Sequence, residues 1–120
     1  MSTNLDTRPT AEPGPDHPIS ISPEDVRVRL VAGEEIAGEA RAVELQEARY
    51  PRLYYVRRED VPAHFLERSD LTTWCPYKGE ANYFHLTGPD GVRRENAVWT
   101  YEAPRPAVAA IKDRLAFYPD

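Results

Sequence analysis

Val26, Val28 and Leu30 alternate with Arg27 and Arg29, and this period of two constrains the fold more than any other feature of the chain. Successive side chains of a strand point to opposite faces, so one face of this segment is apolar and the other charged, as in a half-buried strand. The alternation returns at 81–87, where Ala81, Tyr83 and His85 interleave with Asn82, Phe84 and Leu86. Between these segments, Gly33-Glu34 signals a turn and Ile36 opens a short second strand. "AVEL" (42–45) gives a third, and "RLYYV" (52–56) a fourth, rich in residues that favour a pleated surface. A further strand starts over 72–75. "GPDG" (88–91) is a hairpin signal: Pro89 presets its dihedral, Gly91 admits a positive one, and "NAVWTY" (96–101) is the partner strand. Two short helices are predicted. One follows Asp60 as N-cap, with Pro62 in its first turn and Val61, Phe65 and Leu66 inward. The other spaces Val108, Ile111 and Leu115 at i, i+3 and i+7. Six or seven short strands with two short helices and no βαβ alternation make the class mainly β, with antiparallel connections.

The first 25 residues read as a disordered, proline-rich, acidic tail. They hold five of the twelve prolines and, apart from Leu5, only Ile19 and Ile21 as large aliphatic residues. So little apolar surface does not offset the entropy of ordering. Residues 26–120 then form a single domain with one modest core. The tail carries five acids and one base, Arg8, whereas residues 26–120 carry fifteen acids and fourteen bases. The folded part is thus nearly neutral and lacks the basic face that nucleic-acid binding requires. A single cysteine rules out an intrachain disulfide. The N-terminus has no secretory pattern, and the longest apolar run, "AVAAI" (107–111), is far short of a membrane span. A soluble, cytoplasmic protein with no membrane association is expected.

Chemistry concentrates in "TTWCPYKGEANYF" (72–84), which contains the only cysteine and one of two lysines. A working thiol needs access and a nearby cation, and Lys78 lies three residues from Cys75 across a turn set by Pro76 and Gly79. Against this, a free cysteine beside Trp74 on a strand is equally a small buried apolar residue. Lys78 is either an anion-binding charge at a pocket mouth or a solvated turn residue. Tyr54, Tyr77, Tyr83, Trp99 and Tyr101 either line a cleft or build the core, Tyr77 being the better pocket residue because it sits in the turn. Among the acids, Glu59, Asp60 and Glu95 lie near these segments, and Glu95 is the one expected to face Lys78 as a general base or ion-pair partner. His17, His64, His85 and Cys75 match no ligand spacing, so no metal site is expected.

The same run, together with "YYVRREDV" (54–61) and "ENAVWTYEAPRPAVAAIKDRLAFYPD" (95–120), resembles an uncharacterised bacterial and fungal family, domain of unknown function 427, catalogued in places as nucleotidyltransferase-like. Cys-Pro-Tyr-Lys-Gly is the most specific element, and the resemblance covers roughly 26–120. It implies a β-tent architecture: two small antiparallel sheets meeting at an angle, shared with zinc-pinned domains of the methionine sulfoxide reductase B and cereblon ligand-binding types. This chain lacks the four cysteines of those relatives, so neither their zinc nor their chemistry carries over. It also shows no phosphate-cradling glycine loop and no carboxylate pair spaced for magnesium. Members commonly continue beyond the "FYPD" element into a last strand, so the resemblance implies either a shortened member or an open sheet edge here.

Three functions follow as expectations. The first is a small-molecule enzyme acting on an anionic metabolite, with Cys75, Lys78 and Glu95 as its chemical groups and Tyr77, Tyr83, Trp99, Tyr54 and Thr73 as its ligand-binding wall. The second is a non-catalytic module that binds a metabolite or peptide end in the same cleft. The third is an interaction protein using an open sheet edge. No cofactor is expected, and the oligomeric state is left open.

Overall fold

The computed structural model describes residues 7–119. Its strands are β1 (Ile19–Ile21), β2 (Val26–Ala32), β3 (Glu34–Glu47), β4 (Leu53–Val56), β5 (Leu66–Cys75), β6 (Gly79–Thr87), β7 (Arg93–Thr100) and β8 (Leu115–Phe117). All pair antiparallel in one sheet of order β1-β3-β4-β8-β7-β6-β5, with β2 also on β3. The mainly β, antiparallel class therefore holds, but the two expected sheets are hydrogen-bonded into one. The seam is β8, which meets β4 at Val56↔Leu115 and β7 through Val98↔Phe117, Trp99↔Ala116 and Thr100↔Leu115. Since β8 is paired on both sides, the expected open edge does not lie in that C-terminal strand. Among the described residues the sheet edges are β5 and the β1–β2 side.

Period-two alternation divides the core between the two faces of this sheet. One face gathers Ala42, Val56, Phe84, Leu86, Val98 and Leu115. The other gathers Val43, Leu45, Tyr55, Tyr83, Trp99 and Ala116, and Val108 and Ile111 pack onto it. This second, aromatic face supports the candidate site.

Four expectations are corrected. The second and third strands are one continuous β3, because Gly38 and the register shifts opposite Val28 and Leu30 are absorbed as bulges and not as a turn. Neither helix is α-helical. Three 3-10 segments, Arg58–Asp60, Ala63–Phe65 and Pro106–Ile111, take their place. Pro62 disfavours helical backbone at the residue before it, which separates the first two. In the third, Val108 leaves helical geometry, and Val108 and Ile111 stack at the i, i+3 spacing of a 3-10 turn. Leu115 belongs to β8 and not to a helix. Asp60 caps nothing: its carboxylate takes the Arg41 backbone N–H at 2.9 Å and the Arg41 guanidinium at 3.0 and 2.9 Å. Those bonds hold the Asp60 carboxyl far below the usual carboxylate range.

The tail expected over 1–25 is placed against the sheet wherever it is described; residues 1–6 lie outside the described residues. Its two aliphatic side chains, Ile19 and Ile21, pack on the aromatic face, and β1 adds to β3 through Ile19↔Glu47 and Ile21↔Leu45. Glu24 accepts from Arg57 and Arg114, and these bonds lower its pKa to about 2. Few apolar groups were needed, because backbone pairing and charged hydrogen bonds supply the attachment.

Candidate functional site

Lys78 sits at the turn between β5 and β6. Its N–H donates to the Cys75 carbonyl at 3.2 Å, closing a four-residue turn, and Gly79 takes φ +106°, which lets Gly79 pair back with Cys75. The Lys78 carbonyl accepts from Arg105 N–H at 2.9 Å, tying the turn to the segment after β7. Lys78 is not solvated: it is 6 % exposed and, with Thr100, is one of the buried polar residues. Its ammonium donates to Glu47 Oε1 and lies 3.8 Å from Cys75 Sγ.

Glu47 is the last residue of β3, two positions beyond Leu45 and four beyond Val43, and so shares their face. Its second oxygen, Oε2, accepts from His17 Nε2 at 2.7 Å. Burial by itself would raise the Glu47 pKa, but the hydrogen bonds from Lys78 and His17 prevail and lower it. The His17 ring lies flat on Tyr77, with centroids 4.0 Å apart and planes 9° apart. The result is a chain of contacts from Cys75 through Lys78, Glu47 and His17 to Tyr77. Beneath it are the buried phenols Tyr55 and Tyr101. Burial pushes both phenols well above their ordinary value, and the nearby negative charge of Glu47 adds to the effect, so they act as neutral O–H groups.

Of the residues expected at the site, Cys75, Lys78 and Tyr77 are brought together. Cys75 is half-buried against the aromatic core, so its two readings meet: it lines the core on one side and touches an ammonium on the other. Tyr83 and Thr73 are linked by a 2.8 Å hydrogen bond, with Tyr83 buried in the core. Trp99 is core as well, donating to Tyr55 Oη at 3.3 Å. Tyr54 is exposed and stands apart, lining a groove of about 540 Å³ with Val28, Leu30, Ile36, Leu53 and Phe117. That groove gathers no cluster of titratable groups around a nucleophile.

Glu95 does not meet Lys78. It is exposed on β7 beside Arg94, whose partner Leu86 lies seven residues along β6 from Gly79. At about 3.3 Å per residue the separation is roughly 20 Å. The carboxylate that meets Lys78 is Glu47, and the imidazole beside it is His17; sequence reasoning named neither for this role. Glu47 had a signal, since continuing the Val43, Leu45 alternation by one step places it on the buried face. His17 had none, because its position depends on the fold of the whole N-terminal segment. His85 is used structurally: its Nδ1 accepts the Asn96 N–H at 3.0 Å. Among the described residues no group of three or more His, Cys, Asp or Glu is arranged to hold a metal ion. Among the described residues no helix is long and apolar enough to cross a membrane.

Residues 19–120 match the family described as a domain of unknown function, DUF427. The chain belongs to that family, and the nucleotidyltransferase-like label is part of the family's name. No curated protein matches the chain.

Proposed function

We propose that this chain binds a small molecule at the β5–β6 turn, in a site built on Lys78 and Glu47 with Cys75 and Tyr77 on its wall. The observation that carries this reading is the buried Lys78–Glu47 pair. Taking two charges out of water costs several kcal/mol each, and such a pair is often matched or bettered in stability by well-packed apolar residues. A costly arrangement of this kind, next to a thiol and an aromatic face, is better explained by ligand recognition than by folding. The ligand need not be an anion, because Glu47 already balances the Lys78 charge. A cytoplasmic setting suits the lone free cysteine.

The test is a screen of small metabolites by ligand-observed magnetic resonance on the wild-type chain and on Lys78→Met. Binding that is present in the first and lost in the second supports the site. Equal binding by both overturns its location, and no binding by either the wild-type chain or His17→Ala, which takes the imidazole away from Glu47, overturns the function.

A second reading, covalent catalysis with Cys75 as nucleophile, is favoured by the 3.8 Å approach of the Lys78 ammonium to Sγ. The discriminating measurement is the pH dependence of Cys75 alkylation in folded and urea-unfolded protein. A folded-state midpoint well below the reference of about 8.5 supports the nucleophile. Protection until unfolding leaves the binding module.

A further inference from the structure

The family match begins at Ile19. The segment before it, residues 8–17, nonetheless covers the Lys78 cluster. Trp74 Nε1 donates to the Pro9 carbonyl at 2.6 Å, and the Arg8 guanidinium lies 3.8 Å from the centre of the Trp74 ring. Ala11 N–H donates to the Pro76 carbonyl at 3.0 Å, and Arg105 Nη2 donates to Glu12 at 2.6 Å. A tight turn, in which the N–H groups of Gly14 and His17 donate to each other's carbonyls at 3.2 and 2.9 Å, then delivers His17 onto Tyr77 and Glu47.

None of residues 7–18 belongs to either apolar cluster of the core. The contacts that hold the segment include hydrogen bonds, a cation–π contact, the solvent-facing Arg8–Glu80 and Arg105–Glu12 ion pairs, and the contacts of His17 with Glu47, Tyr77 and Tyr50. Segments with few buried apolar contacts open at low free-energy cost, well short of global unfolding. A concavity of about 400 Å³, lined by Asp16, His17, Ala48, Arg49 and Tyr50, lies directly beside the imidazole.

We propose that residues 8–17 are an intramolecular occupant of the binding site, and that His17 marks the position of the ligand's ring. The ligand class is then a flat nitrogen heterocycle with an N–H donor. Its ring stacks on Tyr77, its N–H donates to Glu47 Oε2, and Lys78 fixes the carboxylate through Oε1. Three features select this chemistry. The near-parallel Tyr77 face admits a planar group and not a bulky aliphatic one. Glu47 Oε2 needs a donor, and its own fixed geometry sets where that donor lies. Lys78 is already committed to the other oxygen, so it is unavailable as a free anion-binding charge. The inference rests on the site proposed above and names what the site takes and what blocks it.

Imidazole is the probe. In full-length His17→Ala, imidazole should restore the missing ring, binding at least tenfold more tightly than to the wild-type chain when titrated by amide chemical shifts, with perturbations confined to residues around Tyr77 and Glu47. His17→Ala/Tyr77→Leu should abolish that gain. In the unmodified chain imidazole competes with His17, so protection of the Ala11 and His17 amides from hydrogen exchange should fall as imidazole rises, while that of β6 amides stays constant. This second measurement decides the question alone if His17→Ala does not fold.

Equal affinity for wild type and a folded His17→Ala overturns the proposal, as does absence of binding to that variant. Unchanged amide protection in the wild-type chain at imidazole concentrations well above those where binding saturates in the variant, or up to the solubility limit where the variant is unfolded, overturns it too. Such results leave the metabolite screen with Lys78→Met to judge the site independently, so the two readings fail separately.

Discussion

Replacing Glu47 by alanine should destabilise the protein severely, and removing Lys78 at the same time should undo most of the damage. In Glu47→Ala the Lys78 ammonium, buried in the wild-type chain, loses its carboxylate and keeps a thiol sulfur 3.8 Å away as its hydrogen-bonding side-chain neighbour. Breaking a buried pair by deleting one member costs about 3–5 kcal/mol. For a domain with a total stability of about 5–15 kcal/mol that is a large share. With an m-value near 1.5 kcal/mol/M, the urea midpoint should fall by roughly 2–3 M. His17 contributes little to this loss, since its side chain is 24 % exposed and water can replace the acceptor.

In Lys78→Met/Glu47→Leu both charges are gone and the volume is nearly kept, so stability should return to within about 1 kcal/mol of wild type or exceed it. Urea unfolding of wild type, Glu47→Ala and Lys78→Met/Glu47→Leu at pH 7, with m unchanged, measures both effects. A double variant as unstable as Glu47→Ala would show that the pair is a structural requirement of the turn, and would remove the argument that it is retained for a ligand.

Other perturbations test the frame around the site. Glu24, held near pKa 2 by Arg57 and Arg114, has a folded-state pKa below its ordinary value of 4.5; its contribution is therefore full above pH 4.5 and lost as pH falls towards 2. Glu24→Gln should lower stability at pH 7 and flatten the decline between pH 4.5 and 2, as read from urea midpoints across that window. Leu115→Ala, at a fully buried residue of the short strand joining the two halves of the sheet, should cost about 2–5 kcal/mol in the same assay. A Cβ on Gly88 would come within 2.5 Å of the Ala32 carbonyl oxygen and 2.7 Å of the Ala32 Cβ, so Gly88→Ala should cost about 1–3 kcal/mol. Gly91→Asn, in open space at φ +76°, should stay within about 0.5 kcal/mol of wild type.

How far the fold was legible depends on whether the signal is local. Val26, Val28, Leu30, Ala81, Tyr83 and Leu86 fall where alternation assigns them, and Gly91 takes the positive φ its turn requires. Alternation specifies faces and not partners, however. That β8 would insert between β4 and β7, merging two sheets into one, is a long-range pairing of three residues with no local mark. The 107–115 segment carried an ambiguous signal, because i, i+3 spacing fits both an α-helix and a 3-10 turn. Pro106 and the β-branched Val108 tipped it toward the latter. The described part of the N-terminal segment is attached through polar contacts and backbone pairing, for which apolar composition carries no mark.

The candidate site divides along the same line. Cys75, Tyr77 and Lys78 are contiguous and were visible as a motif. Glu47 and His17 lie 31 and 61 residues from Lys78, and only the fold makes them neighbours. The motif therefore gave the turn but not its charge state, and charge state decides what the turn can bind. An exposed Lys78 would attract anions, whereas a Lys78 already bonded to Glu47 presents an oriented carboxylate oxygen in place of a free cation. His17 uses that oxygen from a segment that precedes the family's own unit. A site in this family lacking such a segment would offer Glu47 Oε2 and the Tyr77 face to solvent, where a flat donor could reach both without displacing anything. Under the proposed reading, binding in this chain competes with a tethered imidazole, so affinity depends jointly on the slot and on how firmly Trp74, Arg105 and Pro76 hold the segment above it.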